Sequence, residues 1–209
     1  MKDLFKKKCI ISFSHTDYLS NLAGTEKVIL EQQQYYNLEG YTYIHIFPNM
    51  KKYKICNHYI YIKRNSFGIN VDGKFFKYVN IHELKKIFMN HQNLEKVIIH
   101  NLIGYKFNKS LIDLFGLLNC KITYYIHDYA TICSNHTLLK NNSTYCGDTG
   151  LNLKKCYNCR FYTKSLINSH FYKKFFNENY DIEFIFPSVV ARDIWLNTYG
   201  HRFSNKCII

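Results

Sequence analysis

The chain has 209 residues, enough to bury a sizeable core as one domain or a small domain with extensions. Hydrophobic residues make up 47% and charged residues 21%, which are globular values that exclude wholesale disorder. The formal charge of +13 predicts attraction to anions: nucleic acid, an anionic membrane face or phosphate-bearing small molecules. The densest lysine block, Lys6-Lys7-Lys8, is too short for a nucleic-acid tail and leads straight into an apolar run. That run, Cys9–Phe13, is too short for a signal-peptide core or a membrane span. Folding in the cytosol is expected, where the eight cysteines would be reduced or metal-bound rather than paired.

Cys9–Phe13 reads as a short buried strand and Ser14–Ala23 as an irregular polar loop. Gly24-Thr25-Glu26 opens a helix with Thr25 as the expected N-cap, running to about Leu38 and closed by Gly40. Val28, Ile29, Tyr35 and Tyr36 recur at helical spacing and give it an apolar face. Tyr41–Phe47 predicts a second strand, stopped by Pro48-Asn49. The segment 51–79 breaks the rhythm: Ile55–Ile62 alternates loosely, and Asp72-Gly73 marks a tight turn between Gly68–Val71 and Lys74–Tyr78. It reads as an antiparallel, hairpin-like excursion on a sheet edge.

The rhythm then resumes. A helix over Ile81–Asn90 turns Leu84, Ile87 and Phe88 inward, and strand Lys96–His100, helix Ser110–Leu118 and strand Lys121–His127 follow. Past a cysteine-rich loop at 128–163 come helix Lys164–Phe176, strand Ile182–Phe186, a helix from Pro187-Ser188 through Tyr199, and the start of a strand at Lys206–Ile209. Strands alternating with helices predict an α/β fold: a doubly wound, mostly parallel sheet in a single domain over 1–209.

Three stretches carry candidate chemistry. Cys133, Cys146, Cys156 and Cys159 follow a C-x12-C-x9-C-x2-C spacing in a loop with few apolar residues of its own. Four thiolates can hold a structural Zn²⁺ and fix such a loop; four unrelated free thiols are an equally weighted alternative. A thioredoxin-type C-x-x-C opens a helix after a strand, whereas this one closes a loop. Cys9, Cys56 and Cys120 read as core residues. Gly24 and Thr25 begin a helix, where backbone N–H groups can meet a phosphate, although most such glycines merely turn the chain. The stretch is neither a G-x-G-x-x-G nor a P-loop. His127 and Asp128 end a strand where parallel sheets bind their ligands, against the plain alternative of a locally paired histidine. His15, His100 and Asn101 follow other strands and could share that crevice.

Together these stretches resemble one family. Leu22-Ala23-Gly24-Thr25-Glu26-Lys27-Val28 resembles the Gly-Gly-Thr-Glu loop of family 4 (group 1) glycosyltransferases. Ile126-His127-Asp128 through Cys133-Ser134, with Leu138-Leu139 and Tyr145-Cys146-Gly147, resembles the His-Asp…Cys-Pro stretch of its cysteine-containing members. Phe186-Pro187-Ser188 through Trp195 resembles the family's strand, Pro-Ser, helix segment. Ala23 stands for the loop's first glycine and Ser134 for the proline after the cysteine. The resemblance implies a GT-B enzyme with two Rossmann-like domains, the first for the acceptor and the second for a nucleotide-sugar donor. It implies Gly24 and Thr25 near the donor diphosphate, His127 on the transferred sugar with Asp128 beside it, and retention of configuration. It implies no catalytic metal, so that a zinc ion would be structural.

The expectation is therefore the acceptor-side domain of a retaining glycosyltransferase in surface polysaccharide synthesis, with a glycan or lipid-linked acceptor. The donor domain and its paired glutamates are expected outside these residues, in a joined or separate chain. Basic charge suits peripheral contact with the anionic inner face of a membrane. The rival expectation is a non-catalytic, zinc-stapled α/β module that binds nucleic acid or a protein. Lys51-Lys52-Tyr53-Lys54 and Phe171 to Phe176 support it, although no basic tail favours nucleic acid.

Overall fold

Cys9–Phe13 carries no charge between the lysines before it and the polar loop after it, and it forms β1 with every side chain buried. The structure is a computed structural model that describes residues 7–21, 23–55, 58–89, 93–105, 109–147 and 150–209, with backbone alone within 51–65 and at 153. Cys56 and the side chains of Lys51–Lys54 lie outside the described residues. The chain is α/β and gathers into two compact units, Met1–Ile122 and Thr123–Ile209.

In the first unit β1 is followed by α1 (Gly24–Leu38), β2 (Thr42–Ile55), β3 (His58–Val71), β4 (Lys74–Val79), α2 (Ile81–Met89), β5 (Leu94–Ile99) and α3 (Lys109–Gly116). The sheet order is β5-β1-β2-β3-β4. β1 is parallel to both β2 and β5, and β3 and β4 add antiparallel strands at the edge. The chain thus steps from β1 to β2 on one side and reaches β5 on the other. Such a reversal leaves a crevice at the C-terminal strand ends. Phe13 sits at the core, with ring centroids 4.8 Å from Phe115 and 6.1 Å from Phe88.

The hairpin turn forms as its residues predict. Asp72 and Gly73 both have positive φ (48° and 78°), the geometry that matches strand twist in a two-residue loop. Two expectations are corrected. β2 does not stop at Pro48 but runs on to Ile55. Its pairing with β1 ends at Ile46, so Pro48 lies where one side of the strand has no ladder to feed, next to a register shift against β3. Thr25 is not the N-cap: Ala23 holds that place without a side-chain bond, and Thr25 lies in the first turn. The buried residues of α1 are Glu26 and Ile29, while Tyr35 is exposed.

The second unit contains β6 (Lys121–Tyr125), β7 (Leu139–Lys140), β8 (Thr144–Tyr145), α4 (Leu153–Cys156), α5 (Tyr162–Asn177), β9 (Ile182–Ile185), α6 (Val189–Tyr199), a 3-10 turn at His201–Lys206, and β10 (Cys207–Ile208). Its main strands run in the order β10-β9-β6, and β7 and β8 form a separate small hairpin. β9 and β10 are parallel. Ser188 caps α6 by accepting from Ala191 N at 3.2 Å, as Pro-Ser before a helix predicts. The core is aromatic: Trp195 packs on Phe184 (4.5 Å), Tyr199 (4.7 Å) and Phe176 (5.4 Å). Among the described residues no helix is long and apolar enough to cross a membrane.

Candidate functional site

At the C-terminal end of β1, beside the middle of β2, a cleft of about 280 Å³ opens, lined by His15, Thr16, Asp17, Ser20 and Asn21 of the β1–α1 loop and by Phe47, Pro48, Asn49, Met50 and Tyr78 of the strands. The loop is pinned from below. Ser12, His45 and Asn70 are register partners on β1, β2 and β3, so one buried polar row crosses an apolar sheet. His45 Nε2 lies 3.1 Å from the carbonyl of Thr16 and must carry the proton there, since a carbonyl only accepts. Nδ1 is then free to accept from Ser12 Oγ at 3.2 Å. Burial holds the His45 imidazole neutral, with its pKa lowered to about 4.

The loop's own side chains complete the wall. Asp17 Oδ1 accepts from Leu19 N (3.0 Å) and Asn70 Nδ2 (2.7 Å), and Oδ2 accepts from Ser20 Oγ (2.8 Å). Glu26, buried in the first turn of α1, accepts from Thr16 Oγ1 at 3.0 Å, and His15 Nε2 stands 3.7 Å from the same oxygen. Tyr18 packs edge-on against His45 (5.0 Å, 84°), and burial pushes its phenol up to about 12. The cleft therefore presents hydroxyl, amide, imidazole and carboxylate groups beside Tyr78, with no lysine or arginine among the described residues that line it. It suits a polyhydroxylated, uncharged ligand.

Gly24 and Thr25 open α1 in this unit. A Cβ built on Gly24 would meet nothing within 4 Å, so the chain's own packing does not require glycine there. Gly24→Ala is accordingly expected to shift stability by less than about 1 kcal/mol, in the direction of greater stability. If a phosphate approaches that backbone, the same variant weakens its binding; thermal melts and phosphate titration read the two effects separately.

His127 and Asp128 belong to the second unit. His127 stacks on Tyr125 (5.7 Å, 14°) beyond the end of β6, where Ile126 N donates to Ile185 O at 2.8 Å. Asp128 directs its carboxylate along the chain, with Oδ1 accepting from Ala130 N at 2.8 Å and shaping the following turn. Tyr199 of α6 donates to Thr131 O, which ties that turn to the aromatic core.

The four loop cysteines are free thiols that gather in the same unit. Burial and then the nearby thiols of Cys133, Cys156 and Cys159 raise the pKa of Cys146. As the side chains are placed, no three His, Cys, Asp or Glu groups among the described residues stand close enough together to hold a metal ion. Cys9 is buried as expected of a core residue, whereas Cys120 is half-buried.

Residue-type reasoning passed over Ser12, His45, Glu26 and Asn70. For Ser12, His45 and Asn70 the signal was a polar residue between two apolar neighbours on each strand, legible once the register is known. Compared with known proteins, the chain matches no family model, no curated protein and no solved structure.

Proposed function

We propose that this chain is a Rossmann-like, acceptor-side glycosyltransferase domain of the family 4, cysteine-containing kind, and that the β1–α1 cleft holds the acceptor sugar. The cleft carries the reading: Asp17, Asn49, Ser20 and Asn21 offer paired donors and acceptors for hydroxyls, and Tyr78 offers an exposed ring for the apolar face of a sugar. Gly24 and Thr25 would meet the donor diphosphate through backbone N–H groups at the start of α1. His127 would hydrogen-bond the transferred sugar and stabilise charge developing in the transition state, with Asp128 shaping its turn. The nucleotide-sugar itself is the business of a second, donor-binding domain, joined or separate. Transfer is retaining and needs no metal for chemistry.

The charge of the cleft refines the acceptor. Asp17 repels a phosphate, so the portion bound here is a neutral or amino sugar, and any phosphate or lipid of the acceptor lies outside it. Chemical-shift mapping with neutral hexoses, an amino sugar and hexose phosphates tests this. Neutral and amino sugars are expected to shift Asn49 and Tyr78, with phosphorylated sugars about tenfold weaker and Asp17→Asn closing that gap. Failure of every sugar to bind, together with salt-sensitive binding of generic nucleic acid, would favour the basic binding module instead.

A further inference from the structure

We propose that Cys133, Cys146, Cys156 and Cys159 form a structural zinc site that staples the loop between β6 and α5. The argument is independent of the sugar-transfer reading. It begins with the second half of the loop: Ala130, Ile132 and Leu138 are buried near its start, but from 139 to 161 no described apolar side chain is buried. Long segments of that kind are uncommon in compact units unless something else holds them.

The loop's hydrogen bonds bring its cysteine-bearing pieces to one place. Cys146 follows β8, and its N–H donates to Leu138 O at 2.8 Å, which returns it to the segment that carries Cys133. Asn141, in the hairpin turn, accepts from Arg160 N at 2.9 Å and donates to Asn158 O at 3.3 Å, so the turn grips the Cys156–Cys159 knuckle. Asn158 adopts a positive φ of 56°, and Cys159 N donates to Cys156 O at 3.0 Å, which closes a tight turn between the two thiols. Lys155 Nζ reaches to within 3.1 Å of where a Cβ on Gly147 would stand, so the short helix that carries Cys156 lays a side chain beside Cys146.

The surroundings suit thiolates. Asn135 N donates to Cys133 Sγ at 3.4 Å, and Ser165 Oγ lies 3.3 Å from the same sulfur. Ser165 Oγ also donates to Phe161 O at 2.7 Å, so it accepts from the Cys133 thiol; beside a thiolate the hydroxyl would turn its proton to the sulfur, as outer-shell donors do. Lys140 and Lys155 share a hollow of about 320 Å³ with Cys146. A zinc ion with four thiolates carries net negative charge, and these lysines offset it. As placed, no three of these groups stand close enough to hold an ion, so coordination asks the cysteine side chains and the loop segments that carry them to draw together.

The test is the metal content of the purified chain, without added metal and after dialysis. About one zinc per chain is expected, with the four thiols slow to label until a chelator is added and then labelling at least about tenfold faster. Ser165→Ala is expected to weaken zinc affinity by at least about tenfold, and Cys9→Ser to leave it unchanged. No stoichiometric metal in the wild-type chain, with thiols that label at once or are found as disulfides, overturns the site. Because that measurement uses the wild-type protein, misfolding of a cysteine variant cannot obscure it.

Discussion

Replacing Trp195 with alanine is expected to destabilise the second unit by about 3–5 kcal/mol, the largest effect of any single substitution considered. The indole is fully buried and meets Phe184, Phe186, Phe176, Tyr199 and Phe203 within 6 Å, so no neighbour is free to collapse into the space it leaves. Trp195→Phe is expected to cost much less, below about 1.5 kcal/mol. Its Nε1 has no hydrogen-bond partner among the described residues, so the exchange forfeits no bond seen there. Urea unfolding followed by circular dichroism separates the two variants. In the wild type the same transition can be followed by fluorescence, since Trp195 is the single tryptophan. The consequence reaches the site as well. Tyr199 packs on Trp195 and holds Thr131 O, so Trp195→Ala should loosen the turn that follows His127 and Asp128.

Much of this architecture was legible in the residues, because its causes are local. Asp72-Gly73 can take two positive φ values, so it turns a hairpin; Pro187-Ser188 can neither extend a strand nor fail to cap, so a helix starts there. Leu84, Ile87 and Phe88 fall on one face at helical spacing and are buried. What escaped has causes that are not local. Pro48 reads as a strand stop until β1 is seen to end its pairing at Ile46, after which a missing N–H on that side costs nothing. Thr25 reads as a cap until α1 is seen to start before it, with Ala23 in the capping place. The cleft is the clearest case. Ser12, His45 and Asn70 lie far apart in sequence, and only the strand register makes them neighbours beneath the loop that carries His15 and Asp17. The same holds for the cysteines: their spacing proposes a cluster, whereas the placement of the loop that carries them depends on bonds such as those of Asn141 and Ser165, which spacing does not reveal.

Acid should undo the cleft before it undoes the rest of the first unit, and His45 is the reason. Its folded-state pKa is near 4 against about 6.5 in an unfolded chain, so between those values the unfolded state binds the extra proton. The stability His45 contributes is therefore complete above pH 6.5 and is lost as pH falls toward 4. The full interval corresponds to roughly 3 kcal/mol. The groups around it oppose one another: the Thr16 carbonyl, Asp17 and Glu26 favour the charged ring, His15 disfavours it, and burial outweighs them all. Protonating Nδ1 also turns the acceptor of Ser12 Oγ into a donor, while Nε2 must still serve Thr16 O. His45→Gln keeps donor and acceptor atoms but cannot titrate. It is expected to be less stable than wild type at pH 7.5 by about 1–2 kcal/mol, yet to lose less between pH 6.5 and 4.5. Chemical denaturation of both proteins across that range measures the slopes, and equal slopes would assign the acid sensitivity elsewhere. Sugar binding should follow the same titration in the wild type, because the bond from His45 to Thr16 O holds the loop on which the cleft is built.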